Sequence, residues 1–373
     1  VKSSTPELVE LTIDSIASSG DGVGRQDGLV YFVPFSAPGD RLLVRVLHRK
    51  KGFVRAAVET ILAPGPGRRS PPCPVYGRCG GCSLQHLSEE IQNEAKLRIV
   101  REALVRIGGL ERDRVNEITF WTSPNLWNYR NRIQVRVDSS GEFTKTVGFN
   151  ARGSHELVPI DRCLIADESL NERLSELRQR PPGRYELSVR PEGGVEISAS
   201  GLSAESRFSQ VNTEGNAILQ RTVAEWIRCL DLPRDAVAWD LYAGSGNFSG
   251  SLSAQVGLQW TAVEGSAQSV QAGQRQHPNI SWQHDDVHVW LKKQRRAAPL
   301  VVVDPPRVGM GLTTAAMLAA LEPTHIIYIS CDPGSLARDC RVLTKAGYRF
   351  EAGRAVDLFP QTEHVETLLH LVR

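Results

Sequence analysis

The run AVAWDLYAGSGNF, residues 236–248, reads as an apolar strand that ends in a glycine loop and opens a helix. Downstream, WTAVE, LVVVD and HIIYIS repeat the pattern, each a short apolar strand separated from the next by a helix-length segment. From about residue 206 this rhythm predicts a doubly wound parallel sheet, in which ligands bind beyond the carboxyl ends of the strands. Those ends carry Asp240, Glu264, Asp304 and Cys331.

In the loop, Gly244 and Gly246 let backbone approach a nucleotide closely. Ser249 stands where a dinucleotide fingerprint wants a third small residue, and Glu264, twenty residues past Gly244, can bind ribose hydroxyls in several cofactor classes. A nicotinamide oxidoreductase stays open on this loop alone. In VVVDPPR, Asp304 precedes two prolines that have no N–H, a stiff turn able to present a carboxylate and carbonyls to a planar base. Cys331 tips HIIYIS and is followed by Asp332 and Pro333. A soft thiolate there suits addition to C6 of a pyrimidine, which makes C5 a nucleophile toward an electrophilic methyl. A free thiol titrates near about 8.5, so the site must activate it. FPQTEHVETLL offers Glu363 and Glu366 around His364, and either carboxylate can take the C5 proton.

The N-terminal part has another rhythm. Residues 8–62 alternate in short bursts (VELTI, LVYFV, RLLVRVL, FVRAAV) between turns such as SSGDGVGR and SAPGD, which predicts a small barrel of the OB type. Arg41, Arg45, Arg49, Lys50, Lys51 and Arg55 fall in a stretch without an acid, with Tyr31, Phe32 and Phe53 available for stacking. LAPGPGRRSPPC, residues 62–73, reads as an extended linker. A helix follows from Ser88 as N-cap, with Ile91, Ala95, Ile99, Ala103 and Ile107 on one stripe and Gly108 and Gly109 ending it. YRNRIQVRV, residues 129–137, alternates as a strand with Arg130, Arg132 and Arg136 on one side, and strand-like pieces at 146–160 and 185–198 make this middle part α+β.

Of 373 residues, 41% are hydrophobic and 23% charged, enough for two or three cores. A net charge of +2 means that a polyanion must be met by a local patch. No apolar run approaches the roughly 20 residues of a membrane span, and VKSSTPELVE lacks a secretory layout, so a cytoplasmic protein without a membrane partner is expected. Seven cysteines, three of them crowded at Cys73, Cys79 and Cys82, point to metal ligation and chemistry rather than disulfides. Cys229 and Cys340 are expected to be packing residues.

Taken together, GDGVGR with the basic barrel, C-x5-C-x2-C with a distant Cys163 in PIDRCLI, YRNR, FSQVN, DLYAGSGNF, DPPR, SCDP and HVE span nearly the whole chain. In these motifs it resembles the S-adenosylmethionine-dependent RNA uracil-5 methyltransferases, specifically the iron–sulfur members with an N-terminal TRAM domain. The resemblance implies an OB/TRAM-like RNA-binding barrel over 1–62, an α+β iron–sulfur and RNA-binding domain over 63–205, and a Rossmann-like α/β methyltransferase domain over 206–373. It further implies that the helix near 85–115 packs on the catalytic domain. Cys331 becomes the nucleophile and Glu366 the base, leaving Glu363 noncatalytic. The implied S-adenosylmethionine contacts are Gln210, Tyr242, Gly244, Gly246, Asn247, Glu264, Asp286 and Asp304, with Asp285 an equal reading beside Asp286. Cys73, Cys79, Cys82 and Cys163 become ligands of a [4Fe–4S] cluster, with zinc as the competing metal. The implied substrate is a uridine of 23S ribosomal RNA, or the T loop of transfer RNA, acted on by a monomer with no obligate protein partner. A noncatalytic iron–sulfur RNA-binding factor is the reading of another class.

Overall fold

The computed structural model describes residues 7–139, 145–190, 192–199 and 210–373. Among them the chain divides into two compact units, one within Val1–Ile99, Asn125–Ser200 and Phe359–His364, the other within Val100–Pro124, Gly201–Leu358 and Val365–Arg373.

The first unit opens with β1 (Leu8–Ile16), β2 (Gly22–Gln26), β3 (Leu29–Val33), β4 (Arg41–Lys50) and β5 (Phe53–Ala63), closed into a barrel in the order β1-β2-β3-β5-β4. Alternation puts Leu11, Ile13, Leu42, Val44, Val54 and Ala56 inside. Tyr31 takes an inward position of β3 and is 3% exposed, so it fills the core instead of stacking on a ligand. Its neighbour Phe32 points outward and meets Phe53 edge to face, ring centroids 5.8 Å apart. The basic run is partly neutralised by acids from elsewhere: Arg45 pairs with Glu59 at 3.1 Å and Arg49 with Glu7.

The stretch after the barrel is pinned rather than extended. Asp40, fully buried, accepts from Ala37 N at 2.6 Å, Gly65 N at 2.8 Å and Arg68 Nε at 3.0 Å, while Arg68 Nη2 also donates to Phe35 O at 2.8 Å. One carboxylate thus ties the chain leaving the barrel to the turn before β4.

Helix α1 (Glu89–Arg106) starts in the first unit and ends in the second; α2 (Arg112–Asn116) and β6 (Thr119–Trp121) follow in the second. Ser88 caps α1, its Oγ accepting from Ile91 N at 3.5 Å. Its buried line runs through Gln92, Lys96, Val100 and Leu104, with Ala95, and not along the isoleucines. Polar residues occupy it because the Phe359–His364 segment supplies partners: Lys96 Nζ donates to Phe359 O at 3.1 Å and Gln92 Oε1 accepts from Gln361 N at 3.1 Å.

The first unit continues with β7 (Arg132–Ser139), β8 (Lys145–Asn150), β9 (Leu157–Pro159), α3 (Glu168–Arg173), a 3-10 turn (Leu174–Gln179), β10 (Gly183–Val189) and β11 (Val195–Ala199). They form an antiparallel sheet in the order β11-β10-β7-β8-β9. Ile133, Val135, Val137, Tyr185 and Leu187 pack on Leu170, Leu174 and Leu177. Arg132 and Arg136 share the other face, but Arg130 precedes the strand and bridges to Ala166.

The second unit adds α4 (Thr213–Arg228), β12 (Val237–Leu241), α5 (Ser249–Val256), β13 (Gln259–Glu264), α6 (Ala267–Gln276), β14 (Ser281–His284), α7 (Val287–Leu291), β15 (Leu300–Val303), α8 (Leu312–Ala320), β16 (His325–Ser330), α9 (Pro333–Lys345), β17 (Arg349–Val356) and β18 (Glu366–Val372). Its sheet runs β14-β13-β12-β15-β16-β18-β17-β6. The first five strands are parallel; β18 is antiparallel between β16 and β17, and β6 joins β17 in parallel. The chain leaves β12 toward β13 and returns on its other side as β15, which makes a topological switch point at the end of β12. Cys340 is buried in α9, as a packing residue would be, whereas Cys229, at the C-cap of α4, is exposed. No helix among the described residues is long and apolar enough to cross a membrane.

Candidate active site

At the switch point the backbone turns sharply: Tyr242, Gly244 and Gly246 all take positive φ, at 63°, 56° and 97°. A Cβ on Gly246 would stand 3.0 Å from His277 and 3.3 Å from Trp282, so both the backbone and the space demand glycine. Glu264 braces this loop, Oε2 accepting from Gly244 N at 3.0 Å and Oε1 from Ser266 N at 2.7 Å, with a further lone pair on each oxygen. Asn247 faces the protein. Its amide exchanges hydrogen bonds with Asn216 at 2.8 and 3.1 Å, and Gln220 donates to it at 3.1 Å, which fastens the loop to α4. Asp286 caps α7, accepting from Val289 N at 3.1 Å, while Asp285 accepts from Lys293 Nζ at 2.5 Å. Burial, then the charge of Asp286, pushes the Tyr242 phenol up to about 12. Gln210 is half-buried two residues before the α4 N-cap Asn212; Phe208 and Ser209 of its motif lie outside the described residues.

Next along the strand ends is a chain of acids leading to a thiol. Asp240 is fully buried, accepts from Ser249 N at 2.9 Å through Oδ2, has no partner for Oδ1 among the described residues, and is pushed up to about 6 by burial. Burial and the Asp240 charge raise Asp304. Burial and Asp304 in turn raise Glu366, 2% exposed, well above the usual carboxylate range. Burial, followed by the charge of Glu366, pushes the Cys331 thiol up to about 12. The Arg307 guanidinium, on the turn after Asp304, opposes this for both Glu366 and Cys331 and hydrogen-bonds the thiol. Glu363 is engaged elsewhere: its Oε2 accepts from Ser83 Oγ at 2.6 Å, and against the effect of burial this bond and His364 hold it below the usual range.

The four motif cysteines lie in the first unit. Burial raises Cys79 and Cys163 and pushes Cys82 up to about 12, and the sulfurs add to this, Cys73 and Cys163 acting on both Cys79 and Cys82. They therefore share one neighbourhood. As the side chains stand, no group of three or more His, Cys, Asp or Glu among the described residues is arranged to hold a metal ion.

Known proteins match this arrangement along its length. The TRAM domain family matches residues 6–58 and the tRNA (uracil-5-)-methyltransferase family residues 290–373. An uncharacterized RNA methyltransferase of Bdellovibrio bacteriovorus is 37% identical over 97% of this chain and 94% of its own length. The 23S rRNA (uracil(1939)-C(5))-methyltransferase RlmD of Chromohalobacter salexigens is 32% identical over 97% of this chain and 89% of its own. The chain belongs to the S-adenosylmethionine-dependent RNA uracil-5 methyltransferases. Among solved structures, the Pyrococcus abyssi tRNA (uracil-54, C5)-methyltransferase in complex with S-adenosyl-L-homocysteine shares the fold, with a TM-score of 0.72 over 97% of this chain and 99% of that one at 23% identity.

For this RNA uracil-5 methyltransferase, sequence reasoning missed four residues around the site. Asn216 and Gln220, four apart on α4, were detectable as a polar pair on one helical face. Arg307 stood in the DPPR motif itself. Asp339 gave no signal, because an aspartate within an amphipathic helix reads as solvated. It is fully buried, and its Oδ2 accepts from Met310 N at 2.8 Å, Gly311 N at 3.3 Å and the Tyr328 hydroxyl at 2.8 Å. With Ser335 Oγ donating to Arg307 O at 2.9 Å, α9 holds both ends of the loop that carries Arg307.

Proposed function

We propose that this methyltransferase modifies C5 of a uridine in 23S ribosomal RNA, with Cys331 as nucleophile and Glu366 as base. The observation that carries the reading is the juxtaposition of a buried glutamate and a thiol at the C-terminal end of a parallel sheet, one strand from the glycine loop's neighbour β15. S-adenosylmethionine, when bound, supplies an electrophilic methyl. Gly244, Gly246, Glu264, Tyr242, Asn247, Asp286, Gln210 and Asp304 are the residues proposed to shape and line its site, Asn247 by fastening the loop. The Cys331 thiol gives up its proton to solvent and its Sγ bonds to C6; the electron pair of the C5–C6 double bond moves to C5, which takes the methyl while the S–CH3 bonding pair stays on the donor sulfur. Glu366 takes the C5 proton, the C6–S bond breaks, and the double bond and the thiolate return. Burial raises the glutamate, which makes its carboxylate a stronger base toward the C5 proton. The uridine must leave its stack to offer C6, so a loop or another unpaired site is the expected substrate.

The same reading gives Cys73, Cys79, Cys82 and Cys163 to a [4Fe–4S] cluster. Their shared neighbourhood and their all-thiol chemistry support it, and the role is structural because the methylation consumes no electron. Iron and sulfide in equal amounts in anaerobically purified protein are expected; zinc without iron refutes the cluster.

Transfer of labelled methyl to unmodified 23S RNA and to unmodified transfer RNA, with mapping of 5-methyluridine, tests the function. Label in 23S RNA alone is expected. Label in transfer RNA alone moves the substrate, and label in neither removes the reading.

A further inference from the structure

Outside the catalytic strand ends, the second unit presents one exposed aromatic ring held between two guanidiniums. Trp121, the last residue of the edge strand β6, is 37% exposed. The guanidinium carbons of Arg221, on α4, and Arg354, on β17, each lie 5.7 Å from its ring centroid. That is within the cation–π range of about 6 Å, and the tryptophan keeps 37% of its surface exposed beside both cations. Arg354 is anchored, donating to Thr222 Oγ1 at 2.8 Å and pairing with Glu225 at 3.5 Å. Arg221 is exposed and makes no ion pair among the described residues.

Strand register relates this ring to the reaction. Trp121 pairs with Val356 on β17, and Val356 pairs with Glu366 on β18. Paired residues put their side chains on the same face of a sheet, and two inter-strand steps of about 4.8 Å put the Trp121 backbone about 10 Å from that of Glu366. All three residues stand at the sheet end where β16 delivers Cys331. A tryptophan beside a free guanidinium, level with the base and on its face, has the chemistry of a nucleobase platform: a π face for stacking and a cation for phosphate.

We infer that Trp121 stacks a nucleobase adjacent in the RNA to the uridine that enters the site, with Arg221 meeting the phosphate beside it. The inference rests on the proposed RNA function. Extracting a uridine deprives its neighbour of a stacking partner, and the indole replaces it.

The test uses full-length protein and a transcript of the uracil-1939 region of 23S RNA, the target named for the Chromohalobacter relative. Trp121→Ala is expected to raise the Kd for this RNA about tenfold or more, with Trp121→Phe recovering most of the loss. Abasic nucleotides scanned around the uridine should reproduce the loss with wild-type protein at one flanking position and add nothing to Trp121→Ala there. If wild-type protein methylates the transcript while Trp121→Ala and Trp121→Phe bind it as wild type does, the platform is overturned alone. It also fails if the Trp121→Ala loss adds in full to the abasic loss at every position. Wild-type protein that neither binds nor methylates any RNA overturns the functional reading, and the platform with it.

Discussion

Cys331 and Glu366 adjoin the last registered pair of an antiparallel ladder, one on each strand. Ser330 of β16 is registered with Thr367 of β18, so the next step along both chains brings the cysteine opposite the glutamate. The thiol and the carboxyl thus come from segments 35 residues apart, yet their relative height is fixed by a ladder that runs back to His325 and Val372.

This geometry separates the two roles kinetically. Cys331→Ala is expected to abolish methyl transfer. Glu366→Gln is expected to transfer methyl once and then stall, with product release slowed about 100-fold or more, and to accumulate a covalent protein–RNA adduct visible on a denaturing gel. Adduct-free, full turnover by Glu366→Gln would remove the glutamate from the mechanism.

The thiol is raised by burial and then by Glu366, so removing that negative charge must lower its pKa. Alkylation of Cys331 by iodoacetamide is expected to accelerate with pH well into the alkaline range in the wild type, and to reach half-maximum at lower pH in Glu366→Gln. Arg307→Gln should shift the profile the other way, because the guanidinium favours the thiolate. Superimposable profiles for all three proteins would show that these charges do not reach the sulfur.

Asp339 clamps the loop between Asp304 and α8 from helix α9. Asp339→Asn removes an anionic acceptor shared by two backbone amides and a phenol, and is expected to cost about 1–3 kcal/mol in urea unfolding. Single-turnover methyl transfer should fall further than S-adenosylmethionine affinity, since the loop ends in the residue that bonds the thiol. Wild-type stability in Asp339→Asn would contradict the clamp.

Burial alone would raise Asp40, but Arg68 and the amides of Ala37 and Gly65 outweigh it and hold the carboxyl below its usual range. A depressed folded-state pKa contributes stability above the unfolded value, near about 3.9, and that contribution is lost as pH falls through the folded value. Asp40→Ala is expected to cost about 1–3 kcal/mol near neutrality, because two buried amides and the half-buried Arg68 guanidinium lose their shared acceptor. The difference from wild type in urea unfolding should shrink below about pH 4. A constant difference down to pH 2 would assign the loss to packing.

The parallel part of the large sheet was legible because Leu300–Val303 and most of His325–Ser330 are buried on both faces, which leaves an uninterrupted apolar signature. Barrel strands were legible by alternation, but alternation does not say which face is inside, so Tyr31, which fills the core, read as available for stacking along with Phe32. The strand Thr119–Trp121 was invisible. Three residues carry no periodicity, and only pairing with β17 makes them a strand. Asp40 and Arg68, 28 positions apart, show why the proline-rich stretch read as a linker: an ion pair between distant residues leaves no local pattern. In the site, strand-end positions were readable from topology. Which polar groups point at one another was not: nothing local in the glycine loop tells that the Asn247 amide pairs with Asn216 of α4.

The strand that bears Glu366 comes after all its neighbours in chain order yet lies inside the sheet, between β16 and β17. Until it is made, a nascent chain has β16 ending in an open edge and β17 and β6 with nothing to join. Its insertion closes that edge and brings Glu366 to the sheet end that already carries Cys331, so until the last strand is in place the thiol stands there without its proposed base.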